Sequence, residues 1–214
     1  MKVVLIGASG NAGSRILREL QSRGHDVTAV VRNPGKLPAN LNKKSDDLSA
    51  NGRIREIVSG TDALVSAYNP PDNDPDQLIQ VTARLIEAVR KANVPRFIMV
   101  GGAACLEIAP GMTALASGYL PKEWVAEATS HWKSLELLEG SDINWTYLSP
   151  SAFFEAGERT GKFRLGTTSL IVDETVKSPI PFGNSRISFE DYAIALVDEL
   201  EQPTHVRAHF TVGY

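Results

Sequence analysis

Cysteine is nearly absent. Cys105 is alone among 214 residues, so no intrachain disulfide can form, and a reducing, cytoplasmic setting is expected. Also missing is any apolar run near the ~18 residues that a membrane helix requires. The apolar start, Lys2 to Ile6, is too short for a secretory leader and runs straight into glycines. Positive charge is not in excess: Lys and Arg total 22 against 25 Asp and Glu, which leaves no basic face for nucleic acid. Repeats and low-complexity linkers are absent, and no carboxylate–histidine cluster marks a metal site. His205 and His209 have an i, i+4 spacing, but their segment reads as strand, which would set them about 13 Å apart on one face. The expectation is a single domain over 1–214 with a small-molecule partner and no metal, membrane or nucleic acid. The oligomeric state is not set by these features.

Glycine is concentrated at one place. Lys2-Val3-Val4-Leu5-Ile6 is a β-branched apolar run, Gly7-Ala8-Ser9-Gly10-Asn11-Ala12-Gly13 follows, and an amphipathic helix begins at once. A strand, a glycine turn and a helix in this order can hold a dinucleotide pyrophosphate. Gly7 permits the tight turn, Gly10 lets the phosphates approach, and Gly13 lets helix and strand pack. The helix N-terminus offers free N–H groups and partial positive charge to the anion. The competing reading is an ordinary strand-to-helix turn.

The second strand, Asp26 to Val31, bears on which dinucleotide is favoured. NAD sites usually carry Asp or Glu at the end of this strand, for the ribose hydroxyls. Here Arg32 follows, with Lys36 close behind. A guanidinium pairs with a 2′-phosphate through two hydrogen bonds, so NADP(H) is expected over NAD(H); a solvated loop cation is the alternative.

Further on, strands and helices alternate, which predicts an α/β doubly wound parallel sheet. Strands are expected at Leu41–Ser45, Ala63–Ala67, Arg96–Val100, Asn144–Leu148 and His205–Val212. Helices are expected at Asn11–Arg23, Arg53–Val58, Asp74–Lys91, Lys122–Glu139 and Ser188–Leu200. Asp74 is the expected N-cap of its helix, with Pro75 at the first helical position and Gln77 completing a capping box. The core would span about 1–150, and a small C-terminal extension, 151–214, would complete the substrate cleft at the carboxyl edge of the sheet. The loops expected there are Tyr68–Asp74, the stretch after Gly101-Gly102-Ala103-Ala104, Met112–Pro121 and Pro150–Phe154.

The glycine spacing G-x-x-G-x-x-G resembles the extended and atypical short-chain dehydrogenase/reductases. Val100 to Ala104, Trp145 to Phe154, Glu158 to Gly161 and Ile187 to Ala193 then narrow the likeness to the bacterial NADH-flavin reductase family, near the NmrA-like regulators and the flavin/biliverdin reductases. It runs essentially from Met1 to Tyr214. The resemblance implies a Rossmann NAD(P)-binding fold and hydride transfer to a flavin, either a substrate or a bound cofactor. It places Gly7, Ser9, Gly10, Asn11 and Ala12 around the pyrophosphate and Arg32 on the 2′-phosphate. Asp46, Asp47 and Leu48 would lie by the adenine, Ala67 and Tyr68 along the path to the nicotinamide, and Gly101-Gly102 under the ribose. Pro150, Ser151, Ala152 and Phe153 would face the nicotinamide.

The superfamily's carbonyl chemistry uses a Ser after the fifth strand and a Tyr-x-x-x-Lys on the next helix. Here Gly101-Gly102-Ala103-Ala104 lacks the Ser, and Lys133 is preceded four residues earlier by Thr129, whose hydroxyl is too weak an acid to replace phenol. Lys133, as a ribose ligand, together with His131 and Tyr119, remains as catalytic candidate. Hydride transfer to a flavin needs mainly two stacked rings and exclusion of water. Phe153, Phe154, Tyr119 and Trp124 are candidates for an aromatic wall, or ordinary packing residues. Glu158-Arg159 would contact an acidic substrate tail or pair on the surface. Two other functions stay open: a non-catalytic NADP(H) sensor of the NmrA-like kind, and a sugar epimerase or ketone reductase with a relocated acid.

Overall fold

Val3 and Leu5 face one side of β1 (Lys2–Ile6), Val4 and Ile6 the other, and all four are buried. A strand apolar on both faces belongs inside a parallel sheet covered by helices on each side. The computed structural model, which describes residues 1–49, 52–71, 73–178, 180 and 182–214, places it there. Next along the chain come α1 (Asn11–Ser22), β2 (Asp26–Val31), β3 (Asn42–Ser45), α2 (Ile54–Val58), β4 (Ala63–Ser66), α3 (Gln77–Ala92) and β5 (Arg96–Val100). The later elements are β6 (Glu107–Ala109), β7 (Met112–Thr113), α4 (Lys122–Glu139), β8 (Trp145–Pro150), β9 (Phe153–Glu155), β10 (Arg164–Gly166), β11 (Arg186–Ser188), α5 (Phe189–Glu201) and β12 (Ala208–Gly213).

The main sheet has eight strands in the order β10-β12-β8-β5-β4-β1-β2-β3. All neighbours are parallel except β10, which runs against β12. The chain starts at β1, winds out to β3, then returns to β4 and winds the other way. This Rossmann-like reversal between β1 and β4 opens a crevice at the strand carboxyl ends.

Two cores follow from strand alternation. Ile16, Leu17 and Leu20 of α1 pack with Tyr192, Leu196 and Leu200 of α5 against Val3, Leu5 and Leu148. Leu78, Leu85 and Val89 of α3 pack with Leu135 and Leu138 of α4 against Val4, Ile6, Phe97 and Tyr147. Each fully buried aliphatic side chain contributes roughly 1.5–3 kcal/mol.

Three boundaries differ from expectation by more than one residue. α3 begins at Gln77, not Asp74, and no side chain caps it. The Gln77 side chain is taken by the Tyr68 hydroxyl, and the Asp76 carboxylate accepts from Ser130 Oγ at 3.2 Å, so the capping box does not form. Asp72, in the expected Tyr68–Asp74 loop, lies outside the described residues. The last strand begins at Ala208 because Glu199 holds His205 through its backbone N–H and ring, and Arg207 turns the chain with φ of 53°. β8 continues two residues beyond Leu148. The pairs β6–β7 and β9–β11 and the antiparallel β10 are too short to leave a periodic pattern.

The segments Glu158–Gly161 and Ile187–Ala193 meet as architecture. Ser188 caps α5 by accepting from Asp191 N at 3.0 Å. The buried Asp191 carboxylate accepts from Thr160 N and Gly161 N, both at 2.8 Å, and from Tyr214 Oη at 2.9 Å. Arg159 pairs with Glu19 at 2.9 Å, so it is held on α1 and does not line the cleft.

Candidate functional site

Gly7 ends β1 with φ of +75°, and a Cβ there would stand 2.2 Å from Ala67 O. The turn therefore sits tight against the end of β4, as only glycine allows. A Cβ on Gly13 would meet Gly7 O at 2.1 Å, so α1 is seated directly on the turn. Gly10 is the N-cap of α1, with no side-chain cap and no acidic residue in the first turn. The first N–H groups are thus left for an anion. Ser9, Gly10, Asn11, Ala12 and Gly13 line the floor of a cleft of about 820 Å³, while Gly7 lies beneath it. This cradle suits a dinucleotide pyrophosphate in size, charge and lack of obstruction.

The cleft continues over Ala67 and Tyr68 at the end of β4 and Gly101-Gly102 at the end of β5, to Pro150, Ser151, Ala152 and Phe153 after β8. Burial and the nearby Asp74 raise the Tyr68 phenol, while Arg32 and Arg84 oppose the rise. The Ser151 hydroxyl is committed to Val212 O at 3.0 Å. Phe153 lies under the Arg186 guanidinium, 5.1 Å from ring centroid to Cζ. Phe154 is wedged 4.6 Å from the rings of both Phe189 and Tyr192. Tyr119 and Trp124 stand 55% and 50% exposed at the mouth of the same cleft. All four aromatic candidates therefore meet along one cavity.

A second cavity of about 330 Å³ lies beyond β2, lined by Arg32, Asp47, Leu48, Gln77, Gln80 and Arg84, among others. Arg32 is exposed there. Leu48 is buried, and the exposed Asp47 carboxyl is held low chiefly by the Ser49 backbone N–H. Asp46 faces inward instead: its carboxylate accepts from Leu48 N at 2.6 Å and Arg53 N at 2.7 Å, so it shapes the loop. Lys36 ends a short 3-10 turn and is exposed, outside both cavities. Arg84 was not anticipated. It reaches from α3, with Nη1 donating to Leu48 O at 2.7 Å, and only the fold brings it beside Arg32.

α4 presents a different face from the one expected. Trp124, Glu127, Ala128 and His131 line the cleft, whereas Lys133 is exposed and outside it. Two residues on from His131, Lys133 sits about 200° around the helix. The Thr129 hydroxyl turns back onto Val125 O at 2.7 Å. The i, i+4 pair facing the site is thus Glu127 and His131, two residues earlier than the Thr129–Lys133 frame.

His131 packs into space left by glycine: a Cβ on Gly102 would stand 2.7 Å from its Cγ, and one on Gly101 would stand 2.3 Å from the Tyr147 ring. Burial pushes the His131 imidazole down to about 4. His209 is likewise pushed down to about 4 by burial, but its Nε2 lies 2.8 Å from Ser149 Oγ. His205 precedes β12 and stacks on Phe210, so the two histidines do not share a strand face. Among the described residues, no group of three metal-ligating side chains occurs, and no helix is long and apolar enough to cross a membrane.

A family model described as NAD(P)H-binding matches residues 7–203. This chain belongs to the NAD(P)H-binding family. It is 38% identical to uncharacterized protein YwnB of Bacillus subtilis over 220 residues, which covers 99% of this chain and 98% of that protein. A "putative epimerase" of Bacteroides thetaiotaomicron superposes with a TM-score of 0.90 at 43% identity, covering 100% and 96% of the two chains. A "putative NADH-flavin reductase" of Streptococcus pneumoniae superposes at 0.84 with 30% identity, covering 100% and 99%. The protein is an NAD(P)H-binding oxidoreductase on a Rossmann-like fold.

Proposed function

We propose that this protein is an NADPH-dependent reductase of a flavin or a similar planar, conjugated acceptor. The observation that carries the reading is one continuous cleft, with an uncapped helix N-terminus at one end and four aromatic side chains at the other. When bound, the dinucleotide supplies a hydride from its nicotinamide. The chain's own residues bind and orient. Ser9, Gly10, Asn11 and Ala12 hold the pyrophosphate, and Asp47 and Leu48 border the adenine. Arg32, with Arg84 beside it, attracts the 2′-phosphate. Phe153, Phe154, Tyr119 and Trp124 give a flat acceptor apolar surface to stack on and keep water out.

Carbonyl reduction and epimerisation fit less well. The end of β5 is Gly101-Gly102, and neither a tyrosine nor a lysine of α4 faces the cleft. The likeness to a NADH-flavin reductase supports the acceptor class. A free, buried thiol at Cys105 suits a reducing cytoplasm.

The test is anaerobic oxidation of NADPH by the purified protein, with and without FMN, FAD or riboflavin. Saturable, flavin-dependent turnover is expected. Tight NADPH binding without turnover on any flavin would instead identify a cofactor sensor.

A further inference from the structure

Tyr147 has the sequence signature of a core strand residue, yet its hydroxyl is the hub of a polar cluster beside the cleft. Four polar atoms surround Tyr147 Oη: Gly102 N at 3.1 Å, His131 Nδ1 at 3.1 Å, His131 O at 3.2 Å and Cys105 Sγ at 3.8 Å. The Gly102 N–H can only donate, so it fills one lone pair of the phenol oxygen. Burial pushes the Cys105 thiol up to about 12, so it stays protonated. At 3.8 Å either atom can donate, and an S–H turned onto the phenol oxygen, as in the proposed arrangement, fills the other lone pair. The His131 carbonyl already accepts within α4 from the N–H four residues on. That carbonyl keeps a second lone pair 3.2 Å from the phenol, so the hydroxyl proton is shared between it and Nδ1 at 3.1 Å. With both phenol lone pairs filled, an Nδ1–H would have no acceptor, so Nδ1 is the bare nitrogen and the imidazole proton sits on Nε2.

Nε2 is the edge left for a ligand. Among the described residues, the sealed side-chain polar atoms without a partner are Arg96 Nε and Trp145 Nε1; His131 Nε2 is not one of them, and His131 lines the cleft. We propose that Tyr147 is a positioning residue that holds His131 as the Nε2–H tautomer, a neutral hydrogen-bond donor to the acceptor nitrogen or oxygen that gains negative charge on reduction. The donor role rests on the reductase reading above.

The groups facing His131 agree with a neutral ring. Tyr147 and Cys105 are both buried and protonated, and His209 meets Tyr147 edge-on at 5.4 Å with a neutral imidazole. Glu127, one turn earlier on α4, is the charged side chain on the cleft side. A neutral imidazole here lends a hydrogen bond without giving up its proton. Releasing it would leave an imidazolate, or draw the phenol proton and strand a buried phenolate. Any proton that completes the reduction comes from water.

The test reads the tautomer directly, by nitrogen-15 NMR of the imidazole near neutral pH. The expected spectrum shows Nε2–H for His131; an Nδ1–H tautomer or an imidazolium overturns the proposal. Tyr147→Phe keeps the ring and removes the hydroxyl. It should mix the tautomers and lower kcat roughly tenfold, with NADPH KM within about twofold. His131→Phe should lower kcat by roughly a hundredfold, and His131→Gln, which keeps an N–H, should recover part of it. An unchanged tautomer in Tyr147→Phe, or full turnover in His131→Phe, overturns the assignment. A wild-type protein that reduces no acceptor would sink the reductase reading alone, because the spectrum decides the tautomer without turnover.

Discussion

The two ends of the sheet handle polar groups in opposite ways. At the amino end, charges are closed on one another. Arg96, at the start of β5, pairs with Glu199 at 2.7 Å, and Glu199 also takes Thr204 N and His205 Nδ1. Nearby, Arg23 binds Glu19, Asp198 and Glu201, and these carboxylates raise the guanidinium beyond its ordinary value against the opposing effect of its burial. At the carboxyl end, glycines clear space, the α1 N-terminus has no side-chain cap, and Arg32 and the His131 edge point into cavities. Buried polar groups need partners. At the carboxyl end the proposed dinucleotide and acceptor would be the missing partners, whereas at the amino end Arg96 Nε and Trp145 Nε1 stay sealed without one.

The largest expected effect lies at the amino end. Glu199→Ala leaves Arg96 buried without its carboxylate and should cost about 3–5 kcal/mol of stability, read from denaturant midpoints. Dinucleotide affinity of the folded fraction should not change. A mild stability loss would break the contrast, since it would make this cluster dispensable.

Acid should come next. His131 and His209 fall from 6.5 to about 4 on folding, so the unfolded chain binds more protons in this range. Their contribution is complete above about pH 6.5 and is lost as pH falls toward 4, by about 3 kcal/mol for each. Unfolding curves measured across this range should lose roughly half of that slope in His209→Phe.

At the carboxyl end, Arg32→Ala should weaken NADPH by roughly 1–3 kcal/mol and NADH far less, measured by calorimetric titration. Equal losses for the two would remove the 2′-phosphate from Arg32. Smallest of all, Lys133→Ala should leave both affinities and the turnover unchanged, because its side chain points away from the cleft.

How much of this was legible depends on how local the signal is. Gly7, Gly10 and Gly13 announce the cradle because turn, close approach and helix packing are all decided within thirteen residues. α1 and α5 have apolar stripes or caps that fix their limits to within a residue. The facing side of α4 is harder, because Trp124, Val125 and Leu137 are exposed and blur the stripe that would set its phase. Lys133 is therefore picked out only by the superfamily's Tyr-x-x-x-Lys frame, while Glu127 carries no mark in the sequence. Arg84 and Tyr147 carry no local mark of their roles. One is an exposed-looking helix cation and the other a core strand aromatic, and each acquires its partners only when distant elements pack. The short strands β9 and β11 depend on tertiary contact in the same way, whereas β6 and β7 pair locally across Pro110-Gly111 and are too short to show a period.

The most direct test of the account is to follow backbone amide chemical shifts while NADPH is added. The shifts should move at Gly10 to Gly13, Arg32, Asp47 and Gly101-Gly102, and stay put at Arg96, Glu199 and His205. Perturbation centred on the amino end, or no binding at all, would contradict it.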